Sequence, residues 1–468
     1  MLTPDDAIAL VKGQLFPAWE KERERLDLID KWWRWQPESI PLPRRVTPEL
    51  KALRELSETP WLSLVVTSAA QCLYVDGYRS PLDPPTLDVR DADELTGPWR
   101  TWYANDFQTR QISIHRAALA YGYAFVTVMP GVDSAGVPTA VMRGVSPRKM
   151  YAVWADPAED DYPIYAIRVD VQPDRTYAIR LYDDTAVYYL TVDGDQETKF
   201  LDWREHGAGV CPVVRYANML DLDGRTPGEV EPFIPAAKRI NKTAFDRLVT
   251  QHFASWKVRY VTGMAEPDTE DEAKAVKLRL RQEDLLVAED PDTKFGTLDE
   301  SPLDPFISSW RSDIEALAAA SQTPAHELTG QLVNLSAEAL AAARAALTQK
   351  VYERQQSFGR SHAQALKLAA YLEGNYDYAS DLQGRVTWQD MEVRSISQAV
   401  DALGKAATML QVPPAALWGR IPGVEKSDVD EWRRLAEEMD PVQQMRAELG
   451  ARAAEVEPEP VADVDEVS

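Results

Sequence analysis

The feature that most constrains the fold is one helical pattern that covers residues 336–372. Apolar residues recur there every three to four positions: Leu340, Leu347, Val351, Phe358, Ala365, Ala369 and Leu372. Ser336 can cap this helix and Gly374 can end it. At ~1.5 Å per residue it is roughly 55 Å long, several times the usual length. Because no heptad repeat persists, the pattern indicates a large assembly rather than a coiled coil.

Two further helical patterns precede the long one and enclose a compact insert. They cover about 234–257 and 304–321, and Asp304-Pro305 is a good start for the second. Within the insert we predict strands and one helix, at 258–262, 269–281, 285–288 and 295–298. This order predicts a helix–insert–helix hairpin.

The remaining patterns indicate an α+β protein. Alternating apolar and polar residues over 137–217 predict a β meander, which needs a helical layer against it. The periodicity elsewhere predicts helices at 3–35, 48–73, 99–121, 393–410 and 427–439, and a strand at 124–128. The segment after residue 451 is acidic and contains prolines, so we expect it to be disordered.

Composition excludes several classes of protein. The 468 residues contain no run of 18 apolar positions and no apolar leader at the start, so we expect neither a membrane span nor a secretory signal. Cys72 and Cys211 are too few for a disulfide framework or a structural zinc site. The net charge of −24 disfavours tight phosphate binding over the whole surface. The negative charge does not exclude contact with DNA that passes the protein without being bound tightly.

Recognisable catalytic chemistry is absent from the sequence. The five histidines are scattered, and HExxH, phosphate-loop, dinucleotide-binding and GxSxG motifs are missing. Acidic clusters at 159–161, 270–272 and 289–290 are typical of solvated turns in a chain with 75 acidic residues. We therefore predict a protein that is not an enzyme, with no catalytic, cofactor-binding or metal-ligating residues.

A basic run on the first of the paired helices has two interpretations. The segment contains only one acidic residue, Asp246. Its basic residues are Lys238, Arg239, Lys242, Arg247, Lys257 and Arg259. The simpler interpretation is a solvated or subunit-pairing helix face. The alternative is a contact with a nucleic-acid backbone.

Six segments, taken in order, resemble the phage portal family, in particular the branch common in siphophages of Gram-positive hosts. They include the helix–Gly–strand unit HRAALAYGYAFV and the Pro-Val strand GVCPVVRYAN. The six lie at 25–33, 69–78, 115–126, 145–157, 209–218 and 323–339. The matches cover roughly residues 20 to 375.

The resemblance implies a division of the chain into the parts of the portal fold. Residues 1–233, the N-terminal helices and the β meander, would form the wing. The other parts would be stem helices at 234–257 and 304–325, a small α/β clip at 258–303, a tunnel loop at 326–335, the long wing helix and its return at 336–392, a crown at 393–439 and an acidic disordered tail at 440–468.

The resemblance also implies a function and partners. The chain would form a ring, usually dodecameric, at one capsid vertex of the virion, as the channel for packaging and ejecting double-stranded DNA. Its partners would be the terminase large subunit, a head-completion or adaptor protein, and the major capsid or scaffolding protein. Assembly would occur in the host cytoplasm. The residues expected at the narrowest point of the tunnel are Gln331, Leu332, Val333 and Asn334.

Two rival interpretations remain open at this point. One is a carbohydrate-active hydrolase that uses paired carboxylates and stacks tryptophans on sugars. In that case Trp32 and Trp35 would be candidates for the sugar platform. The other is a different phage structural protein, such as a minor capsid or adaptor subunit. Mass in solution separates a ring from a monomeric hydrolase.

Overall fold

The fold was analysed on a computed structural model. It describes residues 1–34, 40–42, 46–82, 97–133, 136–193, 197–254, 259–262, 294–297, 302–330, 337–389, 396–421, 424 and 426–438. Helices and strands are both abundant, which confirms the predicted α+β class.

The chain begins with a continuous helical rod. It comprises α1 (Pro4–Leu10), a π-helical turn (Val11–Leu15) and α2 (Phe16–Trp33). A capping box opens the rod, since Thr3 and Asp6 each bond the other's backbone. The predicted helix at 3–35 is therefore confirmed. The π-helical turn within it was not predicted from the apolar spacing.

Two predicted helices are each divided in two. Residues 48–73 form α3 (Pro48–Ser57) and α4 (Trp61–Ala70), because Pro60 cannot continue a helix. The helix predicted at 99–121 forms α5 (Gly97–Ala104) and α6 (Phe107–Tyr121). Between them Asp106 takes a left-handed conformation, with φ of 52°. The single-helix predictions were wrong at both places.

The predicted β meander is present as two antiparallel sheets. A three-stranded sheet has the order β3-β2-β9, and a five-stranded sheet the order β4-β5-β6-β7-β8. The first sheet consists of β2 (Tyr123–Val132), β3 (Pro138–Val145) and β9 (Val213–Ala217). The second consists of β4 (Met150–Val153), β5 (Tyr165–Val171), β6 (Tyr177–Tyr182), β7 (Ala186–Val192) and β8 (Thr198–Glu205).

The rod covers one face of the five-stranded sheet. Val11, Leu15 and Trp19 pack there against buried side chains of β5 to β7. The same rod continues into the main core, where Leu26 and Ile29 are buried. The expected helical layer against the meander is thus supplied by the chain's own first helices.

The second half of the chain contains the paired helices and the long helix. They are α7 (Ile234–Ala254), β10 (Arg259–Thr262), β11 (Lys294–Thr297), α8 (Asp304–Ala320), α9 (Ala325–Thr329) and α10 (Ala337–Leu372). Strands predicted at 258–262 and 295–298 are confirmed as β10 and β11. The helix predicted at 269–281 and the strand at 285–288 lie outside the described residues.

The chain closes its fold with small elements after α10. They are α11 (Tyr376–Ser380), β12 (Arg385–Trp388), α12 (Ile396–Met409), α13 (Pro414–Leu417), a 3-10 turn (Trp418–Arg420) and α14 (Lys426–Glu438). Strand β12 pairs antiparallel with β1 (Val75–Arg79), about 310 residues earlier in the chain. The tail expected at 440–468 lies outside the described residues.

The long helix α10 is partly covered by its own chain. Phe358, Leu366 and Ala369 are fully buried in the main core, against β9, β3 and α5. Near its start, positions 342, 343, 345 and 346 are exposed. The second half of this helix is therefore covered by its own chain, whereas several positions near its start are open to solvent.

Candidate functional site: a helix hairpin rooted in a buried ionic junction

Helices α7 and α8 pack against each other as an antiparallel pair, here called the helix hairpin. Arg239 Nε donates to Asp313 Oδ1 at 2.8 Å, and the Arg247 guanidinium lies over the Trp310 ring, 5.3 Å from its centroid. At the far end β10 pairs with β11, so that Thr262 lies opposite Lys294. The insert therefore leaves and re-enters the hairpin at neighbouring positions, as the sequence predicted.

The basic side chains of α7 are engaged within the protein. Arg239 bonds Asp313 of α8, Lys242 bonds Asp246, and Lys238 Nζ lies 5.7 Å from the Trp32 ring centroid. Lys257 lies outside the described residues. These contacts favour a paired helix face over a nucleic-acid contact. The sequence interpretation missed Asp313, because that carboxylate comes from the other helix.

The base of the hairpin is held by four buried side chains, here called the ionic junction: Asn218, Glu229, Lys350 and Arg354. Lys350 Nζ donates to Glu229 Oε2 at 2.7 Å and to the Ser321 carbonyl at 2.9 Å. Arg354 donates to Glu229 Oε1 at 3.1 Å and to Asn218 Oδ1 at 2.7 Å. Glu229 precedes α7 and Ser321 follows α8, so α10 holds both roots of the hairpin.

The ionic junction keeps Glu229 charged inside the protein. Burial alone would raise the pKa of this carboxyl group, because a charged form is poorly solvated there. The ammonium of Lys350 and the guanidinium of Arg354 outweigh burial and hold the pKa of Glu229 below its usual value. A buried ion pair of this kind tolerates the loss of neither partner.

Contacts with the N-terminal helices fix the hairpin from the side. The Trp61 and Trp310 rings meet edge to face, with centroids 6.1 Å apart. The Thr59 amide donates to Asn241 Oδ1 at 3.3 Å. Arg25 of α2 bonds Glu231, just before α7. The hairpin thus belongs to the body of the protein and is not a separate domain.

The expected tunnel residues Gln331, Leu332, Val333 and Asn334 lie outside the described residues. The elements on either side are described: α9 ends before Gly330, and α10 begins at Ala337. The assignment of these four residues therefore stays a prediction.

The residues that a hydrolase would use have other contacts where the structure describes them. No group of three potential metal ligands occurs among those residues. In the acidic cluster at 159–161, Asp160 accepts from the Asp156 amide and Asp161 pairs with Arg360. Trp32 is buried under Lys238 and cannot form a sugar platform. Trp35 lies outside the described residues, as do the clusters at 270–272 and 289–290. No helix in the described parts of the chain is long and apolar enough to cross a membrane.

Comparison with known proteins decides between the remaining interpretations. The sequence model of a family described as "Phage portal protein, SPP1 Gp6-like" matches residues 13–445. The chain belongs to this family. Portal proteins are structural components of the phage capsid and are not enzymes, so the prediction of a non-enzymatic protein is confirmed. The match extends beyond the segments that carried the resemblance and includes the helix hairpin, α10 and the elements that follow.

Two curated relatives support the same family. A portal protein of Mycobacterium phage D29 is 25% identical over 414 residues, which cover 85% of this chain and 82% of the relative. A portal protein of Mycobacterium phage L5 is 25% identical over 418 residues, with the same coverage. Both relatives come from siphophages, as the resemblance implied. The hydrolase interpretation was wrong, and so was the adaptor interpretation.

Proposed function

We propose that copies of this chain form a dodecameric ring at one capsid vertex and that double-stranded DNA passes through its channel during packaging and ejection. The observation that carries the proposal is the helix hairpin rooted on α10. Both of its roots are bonded to Lys350, while its insert projects from the opposite end as the β10–β11 pair. This geometry suits a stem that separates a broad body from a distal docking tip.

The division implied by the resemblance becomes part of this proposal. Residues 1–233 and 336–392 form the wing, 234–257 and 304–325 the stem, 258–303 the clip, 326–335 the tunnel loop and 393–439 the crown. In this scheme the clip meets the terminase large subunit first and the head-completion protein later. The wing meets the major capsid or scaffolding protein, and assembly takes place in the host cytoplasm.

Mass in solution tests the ring. Light scattering of the purified chain should give about twelve times the chain mass of 52.5 kDa, and negative-stain microscopy should show a central channel. A stable monomer across buffers would contradict the proposal.

The strand register at the tip allows a sharper test of the docking role. Because Thr262 pairs with Lys294, an Asn-Gly turn can replace residues 263–293 and still close the hairpin. The shortened chain should form rings of normal mass but lose binding to the terminase large subunit. Exchanging Asp401 and Lys405, an exposed pair on α12, is the matched control and should change neither property. Terminase binding that survives the replacement would show that the clip is not the docking site.

A further inference from the structure

A groove of about 920 Å³ runs beside α10. It is lined by one side of α10 over 355–371, by residues 161–162 and 208–210, and by residues 379–388. None of the contacts of the helix hairpin involves this surface. The groove is therefore distinct from the helix hairpin.

Two arginines without a carboxylate partner among the described residues lie at the groove: Arg385 lines it, and Arg79 is paired with Arg385 in the neighbouring strand. Arg79 and Arg385 lie directly opposite each other in the β1–β12 pair, and both are exposed. Like charges in this position destabilise a strand pair. Lys367 lies on the groove side of α10 and is close enough to Asp381 to interact with its carboxylate, so its charge is partly compensated.

One end of the groove is apolar and open to solvent. Leu382 lines the groove and is 92% exposed, whereas Tyr376 lies beside the lining residue Tyr371 and is 63% exposed. The rings of Tyr376 and Tyr371 meet edge to face, with centroids 5.6 Å apart. Exposed apolar side chains grouped at the end of a groove are typical of a binding surface.

A strand also borders the groove. Among the described strands β12 pairs only with β1, and a two-stranded sheet is marginally stable. An extended segment in the groove would lie alongside β12, where backbone hydrogen bonds can add to side-chain contacts. The surface thus fits an extended, acidic segment with several apolar residues.

We propose that this groove binds residues 455–468, the carboxyl-terminal segment of a copy of this chain. The segment carries six acidic residues and no lysine or arginine, which complements the charge of Arg79 and Arg385. Val456, Val461, Val464 and Val467 can contact the apolar end, and Pro458 and Pro460 favour extended backbone. The sixteen residues between 438 and 455 can span up to about 55 Å when extended, which gives the segment a long tether to the last described helix. The inference does not depend on the proposed docking role of the clip.

Photocrosslinking in the full chain tests the proposal. A benzophenone-bearing phenylalanine in place of Val464 should crosslink to residues 376–388, as mapped by mass spectrometry. Arg79→Glu combined with Arg385→Glu should reduce that yield by about fivefold, since two exposed ion pairs are lost. Arg110→Glu, at an exposed arginine of α6, is the matched control and should leave the yield unchanged. Mixed isotopic labelling separates binding within one copy from binding between copies, and either result supports the proposal.

Hydrogen exchange provides a second measurement that needs no crosslinker. Amides of residues 384–388 should exchange several times faster in a chain that ends at residue 454 than in the full chain. Equal exchange in the two chains would overturn the proposal. So would crosslinks that map away from the groove or that ignore the charge reversals.

Discussion

The Nε2 atoms of His115 and His362 lie 2.8 Å apart, although the two residues are 247 positions apart in the chain. Only one of these nitrogens can carry a proton. His115 Nδ1 lies 3.3 Å from the Leu73 carbonyl and must donate to it, so Nε2 of His115 accepts. His362 Nε2 therefore donates, and its Nδ1 accepts from the Tyr216 hydroxyl at 2.9 Å. Both rings are neutral, and a further proton breaks the contact between them.

Acid should therefore destabilise the protein through this pair. Burial lowers the pKa of His115 from 6.5 to about 4. Burial, together with the nearby His115, also holds the pKa of His362 well below its usual value. A lowered histidine pKa means that the folded state binds the proton less well than the unfolded state. The pair's contribution is complete above pH 6.5 and is lost as the pH falls toward 4. For His115 alone the loss is about 2 kcal/mol at pH 5.

Urea unfolding at constant protein concentration, at pH 7.5, 6 and 5, measures this effect. His362→Gln should lower stability at pH 7.5 but flatten its decline with pH, because one titrating group is removed. His326→Gln, at a half-buried position on α9, should leave the slope unchanged. An unaltered slope in His362→Gln would count against the assignment.

Loss of Lys350 should destabilise the ionic junction strongly. Lys350→Met keeps the volume of the side chain but leaves Glu229 with Arg354 as its one cationic partner. We expect a loss of about 3 kcal/mol in the free energy of unfolding. Lys405→Met breaks the exposed Lys405–Asp401 pair and should cost less than about 0.5 kcal/mol. Similar losses in the two variants, measured by chemical unfolding, would contradict this account.

Gly122 should not tolerate a side chain. It ends α6 with φ of 97°, and a Cβ atom there would lie 1.9 Å from the Thr226 carbonyl oxygen. Gly122→Ala should cost at least about 3 kcal/mol, since strain and a backbone clash combine. Gly136 has φ of 81° but open space around it. Gly136→Ala should therefore cost only about 1 kcal/mol. Equal melting temperatures for the two variants would contradict the close approach of the Gly122 backbone to the Thr226 carbonyl group.

Val333→Lys tests the proposed tunnel loop. If 331–334 forms the narrowest part of the channel, a lysine adds a phosphate contact from every copy. We expect rings of normal mass, with DNA packaging slowed or blocked and partly restored at higher salt. Packaging at the normal rate would mean that this loop is not the constriction.

Removal of residues 451–468 should leave ring formation intact. The segment is acidic and contains prolines, and its few valines offer too little apolar area for the packed interface that holds a ring together. Light scattering should give the same mass with and without it. Loss of rings after the deletion would show that the segment takes part in assembly.

Patterns within short stretches of sequence predicted the helices and strands of this protein well, but they did not predict the contacts between distant residues. The apolar stripe of α10 was correctly predicted because a 3.6-residue period shows itself within one segment. The breaks at Pro60 and Asp106 were missed, since apolar spacing continues through both. The pairing of His115 with His362 and of Glu229 with Lys350 links distant segments, and no spacing in one sequence reveals such partners. The family resemblance was recognised because its motifs lie within short stretches.

The two hydrogen bonds of Lys350 also have a mechanical consequence. They join Glu229, five positions before the start of α7, and Ser321, directly after α8, to one turn of α10. A force applied to the β10–β11 pair is therefore transmitted to α10, because the base of the helix hairpin is not a flexible connection. Through Lys350 and the other contacts at the base of the hairpin, such a force acts on α10, a helix of about 55 Å. The helix hairpin and α10 are thus coupled mechanically through a buried ammonium group.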